Sequence, residues 1–195
     1  MSDLRIHCGA SKTRLSRRGF LRLMLWAGVI SCSSKSAVAA IDAISSEERS
    51  LALYNPRTKE SFKGVYWRNG DFVNDAMKDV YHIMRDTRTD DTKQIDPDLL
   101  DLIFKISIKL KSKEPFHVIS GYRSRKTNDL LLKRNKCAAK NSYHTRGQAV
   151  DIHQPGLKTS LLRRAAYELK KGGIGYYPRR GFVHIDIGPV RYWRA

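Results

Sequence analysis

The stretch Ser142-Tyr143-His144-Thr145-Arg146-Gly147-Gln148-Ala149-Val150-Asp151-Ile152-His153 decides how this chain is read. From Gln148 the pattern alternates, so as a strand it puts Ala149, Asp151 and His153 on one face and Val150 and Ile152 on the other. Thirty residues on, Phe182-Val183-His184-Ile185-Asp186-Ile187 does the same, with Phe182, His184 and Asp186 opposite Val183, Ile185 and Ile187. Each strand offers an apolar face to a core and a face of ionisable groups. If the two pair, Asp151 and His184 converge, and His144, seven residues before Asp151 at the end of a polar loop, completes a three-residue set. Two imidazoles and a carboxylate on a rigid sheet suit Zn²⁺ with a fourth position left for water, whose pKa such a site lowers toward about 7. A solitary His or Asp on a strand is more often a solvated or hydrogen-bonded residue, and the periodicity alone leaves both readings open.

Outward from these strands the chain alternates between strand and helix signals. Ser50–Tyr54 and Ser61–Trp67 flank Asn55-Pro56-Arg57 as a hairpin. Val73, Met77, Val80, Tyr81 and Met84 recur at three and four, as on one helix face. Asp96-Pro97 starts a second helix carrying Leu99, Ile103, Ile106 and Leu110, after a polar loop from Thr87 to Gln94. Phe116–Ile119 reads as a buried strand and Thr127–Lys136 as a helix. A further helix around Ser160–Lys170 is expected to stop at Gly172-Gly173. His82 and His117 fall in ordinary helix and strand patterns and read as structural. The expected fold is α+β, a small antiparallel sheet carrying the zinc site and packed by helices.

The N-terminus stands apart. Ser16-Arg17-Arg18-Gly19-Phe20-Leu21 leads into an apolar run, Leu23–Ile30, too short to span a bilayer, and Ala37-Val38-Ala39 supplies an A-x-A cleavage pattern. This is the pattern of a twin-arginine export signal, which carries folded protein to the periplasm. An uncleaved basic tail is the plain alternative, and Val29-Ile30-Ser31-Cys32 resembles a lipobox that would leave a lipid anchor at Cys32. With residues 1–39 as the signal, residues 40–195 form one domain with no transmembrane helix. Of the net charge of +18 on 195 residues, 30 basic against 18 acidic residues remain after residue 39, or +12. Such a domain seeks an anionic partner. The basic runs Lys133-Arg134, Lys136, Lys140 and Arg163-Arg164, with Tyr176 and Tyr177 as stacking groups, raise nucleic acid as that partner, but export takes the protein away from it. Cys137 alone would survive cleavage and reads as a plain loop or core residue.

Residues 142–151 fit the pattern S-x-H-x-x-G-x-A-x-D of the zinc peptidase superfamily of D-Ala-D-Ala carboxypeptidases, lysostaphin-type enzymes and hedgehog domains. With Ile119-Ser120-Gly121-Tyr122-Arg123-Ser124, with Gly173-Ile174-Gly175-Tyr176-Tyr177-Pro178 before Phe182–Asp186, and with the closing Arg191-Tyr192-Trp193, the chain resembles the murein endopeptidase K branch over nearly its whole length. The resemblance implies zinc on His144, Asp151 and His184, and peptidoglycan as the anionic partner. It matches Arg123 to an arginine that polarises the scissile carbonyl or holds a substrate carboxylate, although a surface arginine in a turn is the plainer reading. Ser142 would support the site by hydrogen bonding, and Asn128 would hold the segment after the arginine loop or sit on a helix surface. Many relatives place an acid three positions before the second zinc histidine, or a histidine two before it. Gly181 and Phe182 occupy those positions here, so the general base has to come from elsewhere. His153, near its ordinary pKa of about 6.5, is the first candidate and Asp186 the second, with His153 equally able to orient a ligand. The expected activity is hydrolysis of peptidoglycan cross-links at bonds involving meso-diaminopimelate. A non-catalytic peptidoglycan-binding module on the same scaffold is the alternative.

Overall fold

A computed structural model describes residues 47–111, 113–134 and 138–195. The export signal, Cys32 and Cys137 therefore lie outside the described residues. Strands β1 (Glu48–Asn55), β2 (Glu60–Arg68) and β3 (Asp71–Phe72) are followed by helices α1 (Asn74–Ile83) and α2 (Pro97–Leu110). Then come β4 (Phe116–Ser120), α3 (Arg125–Lys133), a 3-10 turn (Tyr143–Arg146), β5 (Ala149–His153), α4 (Thr159–Glu168), β6 (Gly173–Tyr177), β7 (Phe182–Asp186) and β8 (Arg191–Arg194).

All the strands join one sheet in the order β3-β2-β1-β4-β5-β7-β6-β8. The sheet is larger than expected and mixed: β1 runs parallel to β4 and β6 parallel to β8, whereas the other neighbours are antiparallel. The parallel β1·β4 pair follows from the long crossover through α1 and α2, the kind of connection that parallel strands require. The expected helix stop at Gly172-Gly173 lies further on than the helix itself, which ends at Glu168, and Gly173 opens β6 instead. Gly-Ile-Gly-Tyr-Tyr carries little strand signal because glycine is depleted in strands.

One face of the sheet makes the core. Leu51, Leu53, Phe116, Val118, Val150, Ile152, Ile174, Val183 and Ile185 meet the buried faces of α1, α2 and α4 there. α2 begins as its sequence dictates, with Asp96 accepting from the Asp98 amide at 3.1 Å and Pro97 in the first turn, where no partner for its nitrogen is needed. Its Leu99, Ile103 and Ile106 are fully buried, each contributing about 1.5–3 kcal/mol by leaving water. The opposite face carries Asp151, His184 and Asp186, so the pleat alone separates the core from the chemistry.

The loop after α1 is tied to β2 by Arg85, which donates to Glu60 Oε2 at 2.6 Å, Asp90 Oδ1 at 2.5 Å and the His82 carbonyl at 2.8 Å. The Arg85 hydrogen bond holds the Glu60 carboxyl down at about 2, against an ordinary 4.5. Folded Glu60 thus binds fewer protons than unfolded Glu60, and its contribution is present above pH 4.5 and lost as the pH falls toward 2. In thermal melts of metal-free protein, Glu60→Gln is expected to lose less stability than the wild type across that window; parallel curves would contradict the clamp.

Candidate metal centre

β5 and β7 pair antiparallel with Asp151 directly opposite His184, as the alternation requires. The 3-10 turn then swings His144 beneath them; His144 and Asp151 are buried, and the His184 side chain is 12% exposed. Each ring is aimed by a bond that leaves it only one free nitrogen. His144 Nδ1 donates to the Gly121 carbonyl at 2.8 Å, turning Nε2 inward. His184 Nε2 donates to Asp186 Oδ2 at 2.9 Å, turning Nδ1 inward. His144 Nε2 and His184 Nδ1 stand 3.1 Å apart, and Asp151 Oδ1 lies 2.8 Å from the second and 3.4 Å from the first. Ligands at about 2.0–2.2 Å from a tetrahedral zinc stand roughly 3.3 Å from one another, so the donor set fits that ion in atom type and spacing.

The electrostatics point the same way. Burial works against charge on Asp151, but His144 and His184 outweigh it and hold the carboxyl far below the usual range. Burial would likewise lower His184, yet its bonds to Asp151 and Asp186 raise it to about 9. The site favours positive charge between Asp151 and the imidazoles, which a divalent cation supplies. Burial lowers His144, keeping it the neutral imidazole that a ligand must be.

Asp186 is fully buried and accepts from His184, from the Gly173 and Gly188 amides at 3.1 and 2.8 Å, and from Arg191 at 2.6 Å. With its oxygens closed by donors it orients His184 and leaves no lone pair for taking a proton from water. Such carboxylate partners fix the tautomer of a metal-bound histidine. His153 is not brought to the centre either. It pairs with His117 further along the sheet, the rings 6.0 Å apart, and is absent from the cavity lining. Alternation gives the shared face with Asp151, but the two-residue step moves the ring roughly 7 Å along the strand.

Arg123 lies on the cavity wall beside Asp151. Only 8% exposed, it lies 3.7 Å from Asp151 Oδ2 and donates to Ser120 Oγ at 3.2 Å, while its Nε is buried with no partner. Asp86 fixes the Arg123 loop by accepting from the Ser124 amide at 2.9 Å. Ser142 is buried on the cavity wall, and its carbonyl accepts from Thr145 to shape the turn that carries His144. Asn128 is off the cavity: it donates to the Ala139 carbonyl at 3.1 Å and so anchors the segment leading to Ser142.

Arg123, Ser142, His144, Asp151 and His184 line a cavity of about 850 Å³. Two of its walls escape sequence reasoning. Trp193 of β8 faces His184, ring centroids 5.2 Å apart, and its indole N–H donates to the Tyr177 hydroxyl at 3.0 Å. The available signal was the Gly-x-Gly of β6. A Cβ at Gly175 would stand 2.5 Å from the Trp193 ring, and one at Gly173 2.6 Å from the Arg191 guanidinium, so both glycines make room for β8. Gly121 meets a similar constraint, since a Cβ there would lie 2.3 Å from the Met84 carbonyl. Because the Gly121 carbonyl also aims His144, Gly121→Ala is expected to cost about 2 kcal/mol or more in stability and about tenfold in zinc affinity. A melt and a chelator competition check this; unchanged affinity would remove the Gly121–His144 bond from the account.

A family model described as peptidoglycan L,D-endopeptidase MepK matches residues 43–193. The chain belongs to that family. It is 43% identical over 145 residues to the peptidoglycan L,D-endopeptidase MepK of Escherichia coli (strain K12), covering 74% of this chain and 80% of the relative. It is 35% identical over 148 residues to the probable peptidoglycan L,D-endopeptidase MepK of Haemophilus influenzae, covering 75% and 80%. Among solved structures, the Serratia marcescens L-Ala D-Glu endopeptidase ChiX is matched at 21% identity and a TM-score of 0.36, over 48% of this chain and 80% of that one. The basic runs weighed for nucleic acid are otherwise engaged in part: Arg164 pairs with Glu168, Arg163 lies over Tyr176, and Tyr177 belongs to the cavity.

Proposed function

We propose that this member of the MepK family is a zinc-dependent endopeptidase that hydrolyses peptide cross-links of peptidoglycan, at L,D bonds involving meso-diaminopimelate. The observation that carries the reading is the convergence of His144 Nε2, Asp151 Oδ1 and His184 Nδ1 beneath an arginine-lined cavity. Zinc held there supplies a Lewis acid and activation of water near neutral pH.

The chain's own residues do the rest. Asp186 and the Gly121 carbonyl hold the two imidazoles in the ligating orientation. Arg123, a fixed cationic fork with a free Nε, takes the carbonyl oxygen or a carboxylate of the substrate. Trp193 walls one side against bulk water. The Tyr177 hydroxyl uses its acceptor side on the Trp193 N–H, which leaves its proton to donate into the cavity, toward the departing amine or the developing oxyanion. Residues 1–39 we read as a twin-arginine export signal that delivers the folded domain of residues 40–195 to the periplasm, where its +12 charge retains it on the wall polymer. No helix among the described residues is long and apolar enough to cross a membrane.

Purified sacculi incubated with the protein and resolved by mass spectrometry provide the test. Release of uncross-linked muropeptides, abolished by chelator and restored by zinc, is expected. Co-sedimentation with an unchanged muropeptide profile would mean a binding module instead.

A further inference from the structure

Six arginines line the cavity, and among the described residues its only carboxylate is Asp151, which is held between two imidazoles. Arg191 is neutralised by Asp186, and Arg123 stands beside Asp151. The other four, Arg57, Arg88, Arg134 and Arg180, have no ion-pair partner among the described residues. They come from four separate segments: the β1–β2 turn, the loop after α1, the end of α3 and the β6–β7 turn.

Two of these turns are built from buried polar groups. Asn55, 3% exposed, accepts from the Arg57 amide at 3.0 Å and the Thr58 amide at 3.4 Å. Asp86, 2% exposed, accepts from the Arg88 amide at 3.0 Å. Side chains of this kind fix a turn by bonding the amide two residues on. All four are exposed on the wall of that cavity, where a cluster of like charges attracts an anion, and guanidinium forks match carboxylates.

We propose that Arg57, Arg88, Arg134 and Arg180 form a carboxylate-reading rim, so that the enzyme selects cross-linked peptides carrying several free carboxylates and discriminates against the same peptides with those groups amidated. The proposal rests on the peptidoglycan reading above and adds what the rim recognises beyond the scissile bond.

The test compares one cross-linked tetrapeptide dimer with its carboxyl groups free and with its side-chain carboxyls converted to primary amides. The zinc-loaded wild type is expected to show a KM at least tenfold higher for the amidated dimer. Arg57→Gln and Arg88→Gln should each raise KM about 3- to 10-fold on the free dimer and leave kcat within twofold. Both variants should also flatten the rise of KM with salt, since exposed charges are screened. Equal kcat/KM for the two dimers, or variants indistinguishable from the wild type on the free dimer, would overturn the rim. Calorimetry on zinc-free wild type, which binds without cleaving, separates the two claims. Tighter binding of the free dimer without hydrolysis after zinc is restored would retain the rim and reject the peptidase; equal binding of both dimers would reject the rim whatever the activity.

Discussion

Asp151→Ala is expected to bind no zinc at one equivalent and to hydrolyse cross-linked muropeptides at least about 1000-fold more slowly than the wild type. A Lewis acid supplies several kcal/mol to the transition state, and each 1.4 kcal/mol is a factor of ten. Asp151 is the only anionic member of the set, and its carboxylate lies within 3.4 Å of both facing imidazole nitrogens. Without it the site offers two neutral nitrogens to a dication. Metal content by mass spectrometry, together with circular dichroism to show an intact fold, measures this. Retention of stoichiometric zinc, or activity within tenfold of the wild type, would remove Asp151 from the ligand set.

The second large effect belongs to a residue that touches no substrate. Asp186→Ala strips the acceptor from His184 Nε2, from the Gly173 and Gly188 amides and from Arg191 at one stroke. Its carboxyl is held at about 2: burial opposes ionisation, but the bonds from His184 and Arg191 prevail. Removing one member of a buried, fully bonded ion cluster costs about 3–5 kcal/mol, out of a total stability of roughly 5–15 kcal/mol. The melting temperature should fall by about 10 °C. Loss of the carboxylate behind a ligating histidine should also weaken zinc binding 10- to 100-fold. A melt and a chelator competition read the two effects separately. A variant with a lower melting temperature but unchanged zinc affinity would show that Asp186 holds the β6–β8 corner without orienting His184.

The sequence discloses the centre because the centre is built on period-two alternation. Asp151, His184 and their apolar neighbours mark the face of each strand that carries chemistry, and once β5 pairs with β7 a local turn suffices to add His144. What it hides depends on distances that alternation does not encode. His153 and Asp186 share the correct face, but one is carried along the strand to His117 and the other is closed by donors from Gly173, Gly188 and Arg191. Neither outcome is visible until β6 and β8 are in place. Those two strands escaped because one is rich in glycine and the other is an exposed four-residue edge, Arg191–Arg194. Their joint product, a tryptophan filling the space left by Gly175, exists only in the assembled sheet. The arginines on the cavity wall were hidden differently: a surplus of charge is plain in composition, but its focus on one cavity is a property of four separate segments.

Stepwise addition of zinc to chelated protein, with hydrolysis of a defined cross-linked muropeptide followed at each step, tests the central claim most directly. Activity should rise in proportion to zinc and level off at one equivalent, and Asp151→Ala should stay flat throughout. Cross-link hydrolysis that persists in the chelated protein, or that rises equally in Asp151→Ala, would contradict a peptidase centred on His144, Asp151 and His184.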